Sequence, residues 1–161
     1  MKQSWILAAA LVCGVGQAYA GPHFVSADAS VTSNGMLSVS FDEAGLGNAS
    51  VLESLSADTE AVYACINGGG KHPKASNKTA VSGEVLADVP FNVTKNGRVR
   101  GSIQAGPPSE GDLTCPGGQE LMLACVKYVN VLLTDTTNNI SIVPDGTFSR
   151  SFLAIPDYCP N

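Results

Sequence analysis

Charge is scarce in this chain: 14% of its 161 residues are charged, there are two histidines, and nine Lys and Arg stand against fourteen Asp and Glu, a formal net charge of −5. Neutralising a phosphate backbone takes a basic stripe, so nucleic acid is excluded as a partner, and an anionic membrane surface would repel the protein. Aromatic residues are few, and the single tryptophan, Trp5, falls in the N-terminal apolar segment. Beyond that segment the chain has neither the buried tryptophan of antibody-type domains nor a strong aromatic platform for carbohydrate. Helix-period patterning is nearly absent. No Cys-x-x-Cys pair supports a zinc site, and no Gly-x-Ser-x-Gly elbow supports an acyl-transfer nucleophile.

What the chain does have begins at its N-terminus. Lys2, the apolar stretch 5–15 and Ala18-Tyr19-Ala20 follow the order of a signal peptide: a positive start, a short apolar helix, and small residues at the first and third positions before the cut. Cleavage is expected after Ala20, leaving 21–161 as one secreted domain. The apolar stretch is shorter than the ~20 residues that span a bilayer, so no membrane anchor is expected.

Four cysteines remain beyond position 20, at 65, 115, 125 and 159, and an even number in an oxidising compartment points to disulfides. Of the three connectivities, Cys65–Cys115 with Cys125–Cys159 is preferred: Cys115 lies in a Gly/Pro-rich loop, and Cys159 sits in a tail with little else to hold it. Four Asn-x-Ser/Thr sequons, at Asn48, Asn77, Asn92 and Asn139, point to a glycoprotein and mark expected surface positions.

Strand-period runs, rich in β-branched residues and separated by turn dipeptides, fill the rest. They fall at 24–31, 36–42, 50–57, 61–66, 81–87, 89–94, 99–104, 121–133, 140–143 and 148–155. In the second run Leu37, Val39 and Phe41 alternate with Ser38, Ser40 and Asp42, the pattern of a half-buried strand. Lys95-Asn96-Gly97 reads as a type I′ hairpin turn. The run 121–133 is apolar on both alternating faces and reads as a central strand. Short strands at regular turn spacing predict an all-β, disulfide-stapled sandwich of two antiparallel sheets. Strand order is not written in periodicity, so immunoglobulin-like and jelly-roll arrangements both remain open.

No catalytic set, cofactor or metal site is legible. Asp42 with Glu43, and Glu110 with Asp112, lack the ligand spacing of a known calcium loop and read as solvated charge near strand ends or in loops. Within the long segment 67–78, Gly68-Gly69-Gly70 is followed by Lys71, His72 and Lys74, a cationic cluster that makes this the candidate binding loop. His23 is third in the expected mature chain, but Pro22 has no N–H to deprotonate for copper(II). Removal of Gly21-Pro22 would instead expose His23 as a terminal chelator, with His72 as second imidazole.

The segments Val62-Tyr63-Ala64-Cys65-Ile66-Asn67-Gly68-Gly69-Gly70, Cys115-Pro116-Gly117-Gly118-Gln119, Val131-Leu132-Leu133-Thr134-Asp135-Thr136-Thr137-Asn138 and Gly146-Thr147-Phe148-Ser149-Arg150 resemble small secreted proteins of unassigned function from fungi and actinobacteria. The resemblance implies a shared fold and supplies no catalytic residue. The resulting expectation is a secreted, extracellular, non-enzymatic binding protein, effector-like or cell-wall-associated. Its loops 67–78 and 106–119 would face an extracellular protein or glycan. The alternative is a polysaccharide-active hydrolase or copper-dependent oxidase.

Overall fold

The computed structural model describes residues 21–67, 77–155 and 157–159. Two antiparallel sheets pack face to face. One contains β1 (His23–Val31), β2 (Leu37–Ala44) and β5 (Arg98–Ala105) in the order β1-β2-β5. The other contains β4 (Lys78–Phe91), β3 (Val51–Asn67) and β6 (Gln119–Asp135), with β7 (Ile140–Ile142) and β8 (Phe148–Ser151) both on the free edge of β6. With the strands lettered in chain order, this is A-B-E over C′-C-F-G, the order of an immunoglobulin-like sandwich rather than a jelly roll. The last strand of that scheme is broken in two. Residues 143–147 leave the ladder between β7 and β8, and Pro144 within them has no N–H to offer it.

Several expected strands merge. Runs 50–57 and 61–66 form the single 17-residue β3, and run 81–87 joins the first part of run 89–94 in the 14-residue β4, which ends at Phe91. The charged residues that interrupt them, Asp58, Glu60 and Asp88, lie on the outward parity, while Thr59 between the first two is buried. The Lys95-Asn96-Gly97 turn is not a hairpin of paired strands, because β4 pairs with β3 whereas β5 pairs with β2. It hands the chain from one sheet to the other. The Gly97 N–H donates to Thr94 O at 2.9 Å, and only Gly97, not Asn96, has positive φ, which also excludes type I′. A Cβ on Gly97 would lie 2.3 Å from Leu46 O, so glycine here serves a close chain crossing as well.

The expectation for 121–133 also needs correction. β6 carries two bulges against β3, at Ala124 and near Asn130, and each adds one residue to β6 alone. Every bulge reverses which parity faces the core. The inward set is therefore Leu123, then Val126 and Tyr128, then Val131, Leu133 and Asp135, while Leu121 and Val129 are exposed. Both faces read as apolar because the strand changes face twice.

The main core lies between the sheets, formed by Leu37, Val39, Phe41, Leu55, Ile103, Tyr128 and Leu133 among others. Tyr128 spans it and donates its hydroxyl to Gly35 O at 2.7 Å. Burial pushes that phenol up to about 12. The disulfides join Cys65 to Cys115 and Cys125 to Cys159, at Cα separations of 5.4 and 5.7 Å. The first ties loop 106–118 to the end of β3, where Tyr63 also donates to Pro108 O at 2.6 Å. The second folds the C-terminal tail over the outer face of the five-stranded sheet, covering a small second core of Val62, Ala64, Ala124 and Ile155.

Candidate functional site

Two places in this framework carry chemistry, at opposite ends of β3. The first follows from strand parity. On β2 the inward positions Leu37, Val39 and Phe41 are continued by Glu43, on β3 Val51 and Leu55 flank Glu53, and on β6 Val131 and Leu133 lead to Asp135. Glu53 and Asp135 are direct cross-strand partners in one sheet, and Glu43 meets them from the other. One side-chain oxygen from each of the three lies within 4.8 Å of the others, and each residue is 0% exposed.

The three carboxyl groups are not equivalent. Asp135 closes the turn 136–139: its Oδ1 accepts from the backbone N–H groups of Thr137 (2.8 Å) and Asn138 (3.1 Å), and its Oδ2 accepts from Asn138 Nδ2 (2.5 Å). That turn is clamped to β3, where Thr136 N donates to Leu52 O and Leu52 N donates to Thr137 Oγ1, both at 2.9 Å. Glu43 and Glu53 have no such donors; all four of their carboxyl oxygens are buried without a hydrogen-bond partner. In the metal-free chain the remedy is protonation. Burial first, and then its acidic neighbours Glu53 and Asp135, push Glu43 up to about 9. Burial raises Glu53 to about 7; the proton on neighbouring Glu43 works against this, and the Asp135 charge adds to it.

This corrects the reading of Asp42 and Glu43 as a solvated pair. Asp42 points outward, accepts from Arg98 Nε (2.6 Å) and Nη2 (2.5 Å) and from Arg100 Nε (2.9 Å), and the guanidinium of Arg98 above all holds it at about 2. Glu43 points into the sandwich. Glu53 and Asp135 escaped sequence reasoning altogether, although parity with Val51 and Leu55, and with Val131 and Leu133, was the available signal. Glu110 is half-buried and Asp112 exposed, both in loop 106–118.

The second place lies on the outer face of the five-stranded sheet. Tyr158, held beside the Cys125–Cys159 disulfide, is 46% exposed, and Lys78 Nζ sits 5.0 Å from its ring centroid. On either side of Tyr158 opens a hollow. One, of about 350 Å³, is lined by Lys127, Ser149, Arg150 and Ser151; the other, of about 340 Å³, by Ala80, Ser82 and Asp157. Glu60 and Tyr158 belong to both.

Of the sequons, Asn48, Asn92 and Asn139 are exposed, in the connections beside the carboxylate cluster, while Asn77 is half-buried and donates to Gln119 Oε1 at 2.9 Å. His23 is exposed, its Nδ1 2.8 Å from Gly21 O. The expected signal segment 1–20 and the candidate binding-loop residues Lys71, His72 and Lys74 lie outside the described residues. Among the described residues no helix is long and apolar enough to cross a membrane.

Fold and site together define a disulfide-stapled, immunoglobulin-like β-sandwich with a buried carboxylate cluster at one pole. Its cystine bridges fit an oxidising, extracellular type of environment. No protein-family model, curated protein or solved structure matches the chain.

Proposed function

We propose that this is a secreted, glycosylated, non-enzymatic binding protein that engages an extracellular protein or glycan through the face around Tyr158. The observation that carries this reading is the pair of hollows flanking that tyrosine. An exposed aromatic ring, three cations (Lys78, Lys127 and Arg150) and the carboxylate of Glu60 converge there on a sheet surface that a disulfide keeps in place. Rigid aromatic anchors with charged neighbours are what binding hot spots are made of. The exposed sequons support the same orientation. Asn139 lies beyond the Glu53–Asp135 pair, and Glu53 is seven residues along β3 from Glu60, roughly 23 Å at about 3.3 Å per residue, so glycans there leave the Tyr158 face open.

The hydrolase alternative draws no comparable support. Glycoside cleavage needs a carboxylate pair that a sugar ring can reach, whereas Glu43 and Glu53 are closed off between the sheets.

The test is a screen of the secreted protein against glycan and extracellular-protein arrays, repeated with Tyr158→Ala and with Ser102→Ala on the opposite sheet. A ligand whose affinity falls about tenfold or more with Tyr158→Ala, and is unchanged with Ser102→Ala, is expected. Binding indifferent to Tyr158, or turnover of an arrayed polysaccharide, would overturn the reading.

A further inference from the structure

We propose that Glu43, Glu53 and Asp135 form a calcium site that ties the two sheets of the sandwich together. A cluster of acids would not carry this alone. What points to a ligand is that Glu43 and Glu53 are fully buried, are aimed at each other and at Asp135, and receive no hydrogen bond from any described group outside the cluster. Buried polar atoms are paired almost without exception in folded proteins, and a buried carboxylate without a partner is among the most costly cases. Four such oxygens side by side are relieved either by protons, as in the metal-free chain, or by a cation held between them.

The donor set selects the ion. All the ligand atoms are carboxylate oxygens, with no nitrogen or sulfur in the cluster, which favours a hard cation over zinc or copper. Calcium–oxygen distances are about 2.3–2.6 Å, so oxygens sharing one ion lie at most about 5 Å apart, and here one oxygen from each carboxylate lies within 4.8 Å of the others. One oxygen from each carboxylate converges there, and the second oxygens of Glu43 and Glu53 are also without partners, in a pocket closed to solvent. Magnesium, which keeps several of its waters, fits such a pocket poorly. Asp135 is already oriented by Thr137 and Asn138, the outer-shell support that metal-binding carboxylates require.

The consequence is structural. Glu43 belongs to β2, and Glu53 and Asp135 to β3 and β6, so one ion bridges both layers at the pole opposite the disulfides. There it does for the sandwich what Cys65–Cys115 and Cys125–Cys159 do at the other end.

The test is thermal unfolding of the full mature protein at pH 7.5, first in chelator, then with about 10 mM calcium or magnesium, a concentration above the ~10⁻⁴–10⁻³ M dissociation constants of extracellular calcium modules. Calcium is expected to raise Tm by about 3–10 °C. Glu53→Gln and Asp135→Asn should lose that rise, and Asp42→Asn, on the surface of the same strand region, should keep it. In chelator Glu53→Gln should be no less stable than wild type, because it removes charge from the crowded cluster; a merely structural glutamate would behave in the opposite way. Titration calorimetry on the wild-type protein, with one calcium ion expected per chain, decides the question even if a variant fails to fold. Absence of saturable binding at about 10 mM, or a rise that survives Glu53→Gln, would overturn the site. An equal rise with magnesium would overturn the choice of calcium.

Discussion

Asp42 points out from β2 into two guanidinium groups, whereas Glu43, one residue on, points between the sheets at two other acids. Their linkage to folding therefore has opposite signs. Asp42 is lowered from 3.8 to about 2, so its contribution is complete above pH 3.8 and disappears as pH falls through about 2. Glu43 and Glu53 are raised from 4.5 to about 9 and about 7, so the protons they hold favour the folded state below pH 4.5, and that contribution is lost as pH rises through 7 and 9. In chelator, a plot of Tm against pH should peak between about 4 and 5, where neither loss has begun. Asp42→Asn should remove part of the acid limb and Glu43→Gln should flatten the alkaline one. An alkaline limb unchanged in Glu43→Gln would show that the cluster is not its source.

At the scale of elements, the bulge near Asn130 decides which side chains of β6 enter the core. Asn130 has φ of 53° and donates from Nδ2 to Asp58 Oδ2 at 2.6 Å, so it is an asparagine in the left-handed region anchored to the neighbouring strand. Asn130→Gly should keep the bulge. Asn130→Val should lower unfolding free energy by about 1–2 kcal/mol, from the cost of placing a β-branched residue at positive φ, a difference measurable by urea denaturation. Equal stabilities for the two variants would mean that the bulge is imposed from elsewhere. The same element shows where sequence reading stops. On β2, with no bulge, simple alternation assigned Leu37, Val39 and Phe41 to the core, and they are buried. On β6 the same alternation failed, because an inserted residue leaves no mark in hydrophobicity when both parities are apolar. Glu53 and Asp135 were passed over for a related reason: alternation places an acid on the inward face, and the charge of that acid argues for the outward one.

For the molecule as a whole, the two disulfides close loops of 50 and 34 residues, each worth about 4 kcal/mol on the chain-entropy view. Replacing Cys125 and Cys159 together by serine should cost about 2–5 kcal/mol in chemical denaturation. It should also expose backbone amides of the tail, such as Cys159 N–H, which donates to Ile155 O at 2.9 Å, to rapid hydrogen exchange. A tail still protected in that variant would show that the contacts of Ile155 with Val62 and Ala64 suffice without the bridge.

What the chain determined by itself was what depends on local pattern: an all-β architecture, from strand-period alternation and the absence of helical period; a disulfide-stapled framework, from an even set of cysteines; and the positions of the main turns. What only the tertiary structure decided was what depends on residues far apart in sequence. The A-B-E over C′-C-F-G order separated the strands flanking Gly97 into different sheets, a choice set by packing the two layers together. The same packing brought position 43 against positions 53 and 135, and turned three unremarkable acids into the most concentrated buried charge among the described residues. Periodicity records which way a side chain points; it carries no information about what stands opposite.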